Sequence, residues 1–115
     1  MCGIGGIYYP DNTKGRVPVG ALSDLWCGLE NRGTHAAGFS LLWEGSDAPV
    51  VFKSPRKASS HVPTLSKYYG TGINTRYILL HTRFTTQGSV SNNGNNHPVV
   101  AHGITMTHNG VLWDD

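Results

Sequence analysis

Charge is scarce in this chain, and so are cysteine and long apolar runs. Of its 115 residues 14% are charged, nine basic against seven acidic, for a net charge of +2. So small an imbalance gives no field strong enough to gather nucleic acid or an acidic membrane surface. The one basic cluster, Lys53, Arg56 and Lys57 around Pro55, reads as a solvated loop. The two cysteines, Cys2 and Cys27, allow one bridge, where a small secreted domain usually carries more. No basic N-terminal stretch leads into an apolar one, so no signal peptide is visible. No apolar run approaches the ~20 residues a membrane helix requires. The expected compartment is a reducing cytoplasm, where a Cys2 thiol persists.

Apolar residues make up 38% of the chain, enough for a globular core and too many for disorder. A chain of this length makes one domain and buries roughly 65% of its unfolded surface. The 15 glycines foretell many turns.

Residues Gly3 to Tyr9 read as a buried strand ended by Pro10 and Asp11-Asn12. Leu22, Leu25, Trp26 and Leu29 fall at i, i+3, i+4, i+7, the stripe of an amphipathic helix starting near Pro18. Asn31 and Gly33 stop it. Alternation at Ala37, Phe39, Leu41 and Trp43 predicts a strand. Gly45-Ser46-Asp47 turns it into a hairpin partner over Val50 to Lys53. Val62, Leu65, Tyr68 and Tyr69 predict a short helix closed by Gly70, with Pro63 confining its start. Tyr77 to His81 reads as a strand buried on both faces. Thr85 to Asn96 is a polar loop, long for a compact domain and hence a functional candidate. Val99 to His102 and Ile104 to Thr107 form a tight hairpin, and Val111-Leu112-Trp113 begins another element. Strands joined mostly by hairpins predict an α+β domain with an antiparallel sheet.

Four polar clusters fall at the ends of these elements: Cys2-Gly3, Arg32-Gly33, His81-Thr82-Arg83 with Thr86, and His108-Asn109-Gly110. Ends of elements gather at one rim, where function tends to sit. Cys2 directly follows Met1. Removal of Met1 would put a thiol and a free α-amine on one residue, and an amine with a pKa of about 7.7–8.0 can take the thiol proton near neutrality. Arg83 offers a planar fork suited to a carboxylate. Asn109-Gly110 offers a side-chain amide beside a backbone N–H, the parts of an oxyanion hole.

Taken together, Met1-Cys2-Gly3-Ile4, Glu30 to Gly38, His81-Thr82-Arg83-Phe84-Thr85-Thr86-Gln87-Gly88 followed by Asn96-His97-Pro98, and Thr107-His108-Asn109-Gly110-Val111 resemble the class II glutamine amidotransferases. These carry an N-terminal-nucleophile glutaminase domain. The resemblance implies an αββα sandwich of antiparallel sheets, of which residues 1–115 would be the N-terminal portion, with the C-terminal portion missing. It implies that Cys2 attacks the side-chain amide of L-glutamine and forms a thioester. Ammonia is released to a synthase domain, a synthase subunit or the missing C-terminal half. Asn109 and Gly110 would hold the oxyanion. Arg83 and Thr86 would bind the substrate α-carboxylate, and Arg32 would order the site. No metal or organic cofactor is implied. The chain departs from the family pattern at His35, Phe84 and Gln87.

Rival readings are weaker. His81, His97, His102 and His108 have no helix-type ligand spacing and no cysteine support for a metal. Gly3-x-Gly5-Gly6 lacks the third glycine, the following helix and the distal acid of a dinucleotide loop. Two other functions share the motifs: hydrolysis of another γ-glutamyl amide without an acceptor, and a non-catalytic remnant or interaction module.

Overall fold

The computed structural model describes residues 2–10, 15–70, 74–84, 96–101 and 104–107. Six strands and two α-helices follow one another along it: β1 (Gly3–Tyr8), α1 (Val19–Leu29), β2 (Ala36–Trp43), β3 (Val50–Ser54), α2 (Val62–Tyr69), β4 (Thr75–Arg83), β5 (Val99–Ala101) and β6 (Ile104–Met106). Short 3-10 turns at Glu30–Arg32 and Ala58–His61 follow α1 and precede α2. The predicted α+β class and its antiparallel pairing are both present. Strands β1 to β4 make one sheet in the order β1-β4-β2-β3, and β5 pairs with β6 as a separate hairpin. The arrangement is compatible with a layered αββα fold.

Strand β4 is central, pairing antiparallel with β1 on one side and β2 on the other. The side-chain period of two then sorts its residues. Ile78, Leu80 and Thr82 share a face with their partners Leu41, Phe39 and Ala37. This face receives the helices. Leu22 and Trp26 from α1 and Leu65 from α2 are fully buried against it with Phe39, Leu41, Ile78 and Leu80. Trp26 meets Phe39 edge to face at 5.6 Å between centroids, and its indole N–H donates to the His81 carbonyl at 3.2 Å. A buried indole needs such an acceptor. Leu25 stays 40% exposed, so the helix stripe is narrower than its spacing predicts.

Two glycines of β1 explain how close α1 lies. A Cβ at Gly3 would meet Thr82 Oγ1 at 2.6 Å and the Leu29 carbonyl at 2.8 Å; one at Gly5 would meet Leu29 Cδ1 at 3.2 Å.

The opposite face carries Ile4, Gly6 and Tyr8 across from His81, Leu79 and Tyr77. Ile4 is 42% and Tyr8 64% exposed. The expectation of a buried β1, and of a Tyr77–His81 segment buried on both faces, is therefore met in part. Ile78, Leu80 and His81 are fully buried, whereas Tyr77 and Leu79 are half-exposed. They help line an open groove of about 480 Å³ with Gly6, Ile7 and Tyr8.

At the far end of β1 a closed hydrogen-bond circuit ties down the chain before α1. Val17 N–H donates to Tyr9 Oη (2.9 Å), Tyr9 and Tyr69 hydroxyls bond at 2.9 Å, and Tyr69 Oη donates to the Val17 carbonyl (2.7 Å). Burial and the Tyr9 bond push the Tyr69 phenol pKa well above its usual value. Among the described residues no helix is long and apolar enough to cross a membrane.

Candidate active site

Cys2 precedes β1, and β1 pairs with the end of β4 through Gly3 opposite Thr82. Antiparallel pairing thus carries the N-terminal thiol to the end of β4, where the strand closes at Arg83 and Phe84 leaves the sheet. Cys2 is half-buried, and its thiol donates to the Phe84 carbonyl at 4.0 Å.

The C-terminus of α1 reaches the same end of the sheet. Thr82 Oγ1 donates to the Leu29 carbonyl at 2.7 Å, satisfying one of the orphan acceptors at the helix end. The 3-10 turn Glu30–Arg32 then brings Gly33 onto the β4 backbone. A Cβ there would run into Arg83, with its N at 2.7 Å and its O at 2.8 Å, so no larger residue fits without displacing β4. His35 N–H donates to the Arg83 carbonyl at 2.9 Å and starts the β2–β4 ladder. The His35 imidazole stacks on Phe84, with centroids 4.6 Å apart and planes 26° from parallel.

Arg83 is only 7% exposed, and its Nη1 donates to the fully buried Asn96 Oδ1 at 2.8 Å. The segment Asn96-His97-Pro98 lies on the sheet face away from the helices. His97 stacks on His81 at 4.4 Å, and a Cβ at Gly38 would strike the His97 carbonyl. The His97-Pro98 peptide is cis.

Three of the four polar clusters therefore meet at one end of the sheet: Cys2-Gly3, Arg32-Gly33 and Thr82-Arg83. Arg32 itself is exposed on its turn. Thr86, Asn109 and Gly110 lie outside the described residues, although β6 ends one residue before Thr107 leads towards Asn109. Residue spacing gives no role to Asn96 or to the Phe84 carbonyl. Asn96 was visible only as part of a motif, because its contact with Arg83 spans 13 positions and a sheet face. Main-chain acceptors leave no trace in residue type.

Cys27, half-buried on α1, is also a free thiol. Burial first, then the Glu30 and Asp24 carboxylates, push its pKa up, which favours an inert thiol at neutral pH. The groove beside Tyr8 and Tyr77 is not the thiol site, because Tyr8 lies five residue steps along β1 from Gly3, about 16 Å along an extended strand. Among the described residues no group of three or more histidine, cysteine, aspartate or glutamate side chains is placed to hold a metal.

Over 112 residues, 97% of its length, the chain is 33% identical to the glutamine--fructose-6-phosphate aminotransferase [isomerizing] of Xylella fastidiosa strain Temecula1, and equally to that of strain 9a5c. The match covers 17% of each of those proteins, so the chain spans about one sixth of the length of these curated relatives. No profile of a known protein family matches the chain. No solved structure matches it. The chain is a homologue of these class II glutamine amidotransferases over the segment it shares with them. The resemblance carried by its four motifs is borne out to that extent.

Proposed function

We propose that this chain is part of a glutaminase domain that hydrolyses the side-chain amide of L-glutamine and delivers ammonia to an amidotransferase reaction. The observation that carries the reading is the meeting of Cys2, Gly33 and Arg83 at one sheet end, in a chain homologous to an aminotransferase that uses glutamine.

The chemistry follows from the residue types. Loss of Met1 exposes the Cys2 α-amine, which accepts the thiol proton as sulfur attacks the glutamine side-chain carbonyl. Asn109 and Gly110 donate to the oxyanion; removing one such donor typically costs about 10²–10³ in rate. The tetrahedral intermediate collapses, the amine returns its proton to the departing nitrogen, and ammonia leaves a γ-glutamyl thioester on Cys2. Water attacks that thioester and releases glutamate and the thiol. Arg83, assisted by Thr86, binds the substrate α-carboxylate, and Arg32 orders the approach. No cofactor enters these steps. The ammonia acceptor site belongs to a synthase segment or subunit beyond these residues.

The test is intact mass of the purified chain before and after treatment with diazo-oxo-norleucine, an electrophilic glutamine analogue. A chain lacking Met1 that gains one adduct, mapped to Cys2, supports the reading. A chain lacking Met1 that gains none overturns it.

A further inference from the structure

We infer that His35 is a positioning residue for the Cys2 nucleophile, acting through its ring stack on Phe84; the catalytic meaning of that role rests on the glutaminase reading above.

Three contacts build the device. The Phe84 carbonyl receives the Cys2 thiol at 4.0 Å. Phe84 is the first residue beyond β4, so the sheet ladder no longer holds it, and the residue is 47% exposed. An exposed side chain at a strand end has little to fix its rotamer or the peptide behind it. The His35 imidazole supplies a restraint by covering one face of the ring at 4.6 Å and 26°. Stacked aromatic rings attract each other beyond the area they bury. His35 is itself anchored. Its N–H donates to the Arg83 carbonyl, one peptide before Phe84, and Gly33 packs on the same peptide. The segment after α1 thus grips β4 at Arg83 through backbone and at Phe84 through a ring. Between those grips lies the peptide that leads to the thiol's acceptor.

This geometry lets His35 act on sulfur through the Phe84 peptide. Its aromatic plane, and not its proton, does the positioning. Removing the ring frees the Phe84 carbonyl, and the Cys2 thiol loses a fixed acceptor. A freed thiol is more open to a small reagent that needs no alignment. It is less often in line with a substrate held by other residues, and misplacement by about 1 Å can cost on the order of 10²-fold in rate. The two effects have opposite signs; a general loss of structure would give the same signs, but it would show in the circular dichroism spectrum and an aromatic replacement at position 35 would recover neither rate.

The experiment measures rates of Cys2 modification by iodoacetamide and by diazo-oxo-norleucine in a Cys27→Ser background, where Cys2 is the sole cysteine. His35→Ala and His35→Phe are compared with the parent, and circular dichroism confirms equal folding. His35→Ala should raise iodoacetamide alkylation about threefold or more and lower analogue labelling about tenfold. His35→Phe, which keeps an aromatic plane, should return both to within about twofold of the parent. Parental iodoacetamide rates in His35→Ala overturn the inference. So does a His35→Phe protein that behaves as His35→Ala, because the imidazole and not the stack would then matter. A parent that reacts with iodoacetamide but never with the glutamine analogue overturns the glutaminase reading alone, and the alkylation rates with their rescue by phenylalanine still decide the positioning role.

Discussion

The Arg83 guanidinium donates to the Asn96 amide oxygen at 2.8 Å, both residues buried, and this bond ties the end of β4 to the segment that enters β5. A planar guanidinium has five donors, so engaging Nη1 on a neutral amide orients the fork while its charge is retained. An arginine placed to receive a carboxylate needs both properties.

Arg83→Lys should therefore raise KM for glutamine about tenfold or more with a smaller change in kcat, because an ammonium point charge replaces the planar fork and cannot grip a carboxylate in bidentate fashion. Steady-state glutaminase kinetics test this. An unchanged KM would remove Arg83 from carboxylate binding.

Cys2→Ala should abolish glutamine hydrolysis and analogue labelling while the thermal transition stays near the parental one. The residue is half-buried and precedes β1, and changes at such positions usually alter stability by no more than about 0.5 kcal/mol. Retention of parental turnover would mean that another group is the nucleophile.

The backbone contacts separate two glycines by sign. Gly33→Ala forces a methyl into the Arg83 backbone and should cost about 1–3 kcal/mol, with loss of labelling at Cys2. Gly28 sits in α1 with open space around its Cβ position, so Gly28→Ala should add about 0.5–1 kcal/mol by helix propensity. Urea denaturation of both variants is the measurement. Equal effects of one sign would contradict the packing at Gly33.

A pH dependence of stability follows from His61. Its ring meets Phe52 edge to face at 4.9 Å where the 3-10 turn enters α2. Burial first, then the Arg56 charge, lowers its pKa below the ordinary value. The unfolded chain then binds the proton more readily than the folded one. The contribution of His61 to stability is complete above the unfolded pKa of about 6.5 and is lost as pH falls through the lower folded value. The melting temperature should drop as pH falls below about 6.5, and His61→Phe should shallow that drop. An unaltered pH profile in the variant would remove His61 as the cause.

The local rules served well where one element sufficed. The Leu22, Trp26 and Leu29 spacing located α1. Alternation through Ala37, Phe39 and Leu41 located β2, and the Gly45 turn with its positive φ linked it to β3. Pro63 was compatible with α2 because it lies in the first turn, where a missing N–H is harmless. The limits of alternation show at Leu79 and Tyr77. Their residue types foretold burial on both sides, but burial depends on what covers the second face, and among the described residues Asn96-His97-Pro98 covers it near His81 and Gly38.

Residue type and order alone thus determined the α+β class, the strand and helix positions and the candidates Cys2, Arg32 and Arg83, since side-chain period, turn chemistry and reactive groups are local properties. Only the tertiary structure decided that β4 is central, that Gly33 and His35 grip its end, that Asn96 holds Arg83 and that the Cys2 thiol faces the Phe84 carbonyl. Each of those is a contact between distant positions, set by sheet register and by how closely a backbone without a Cβ can approach another.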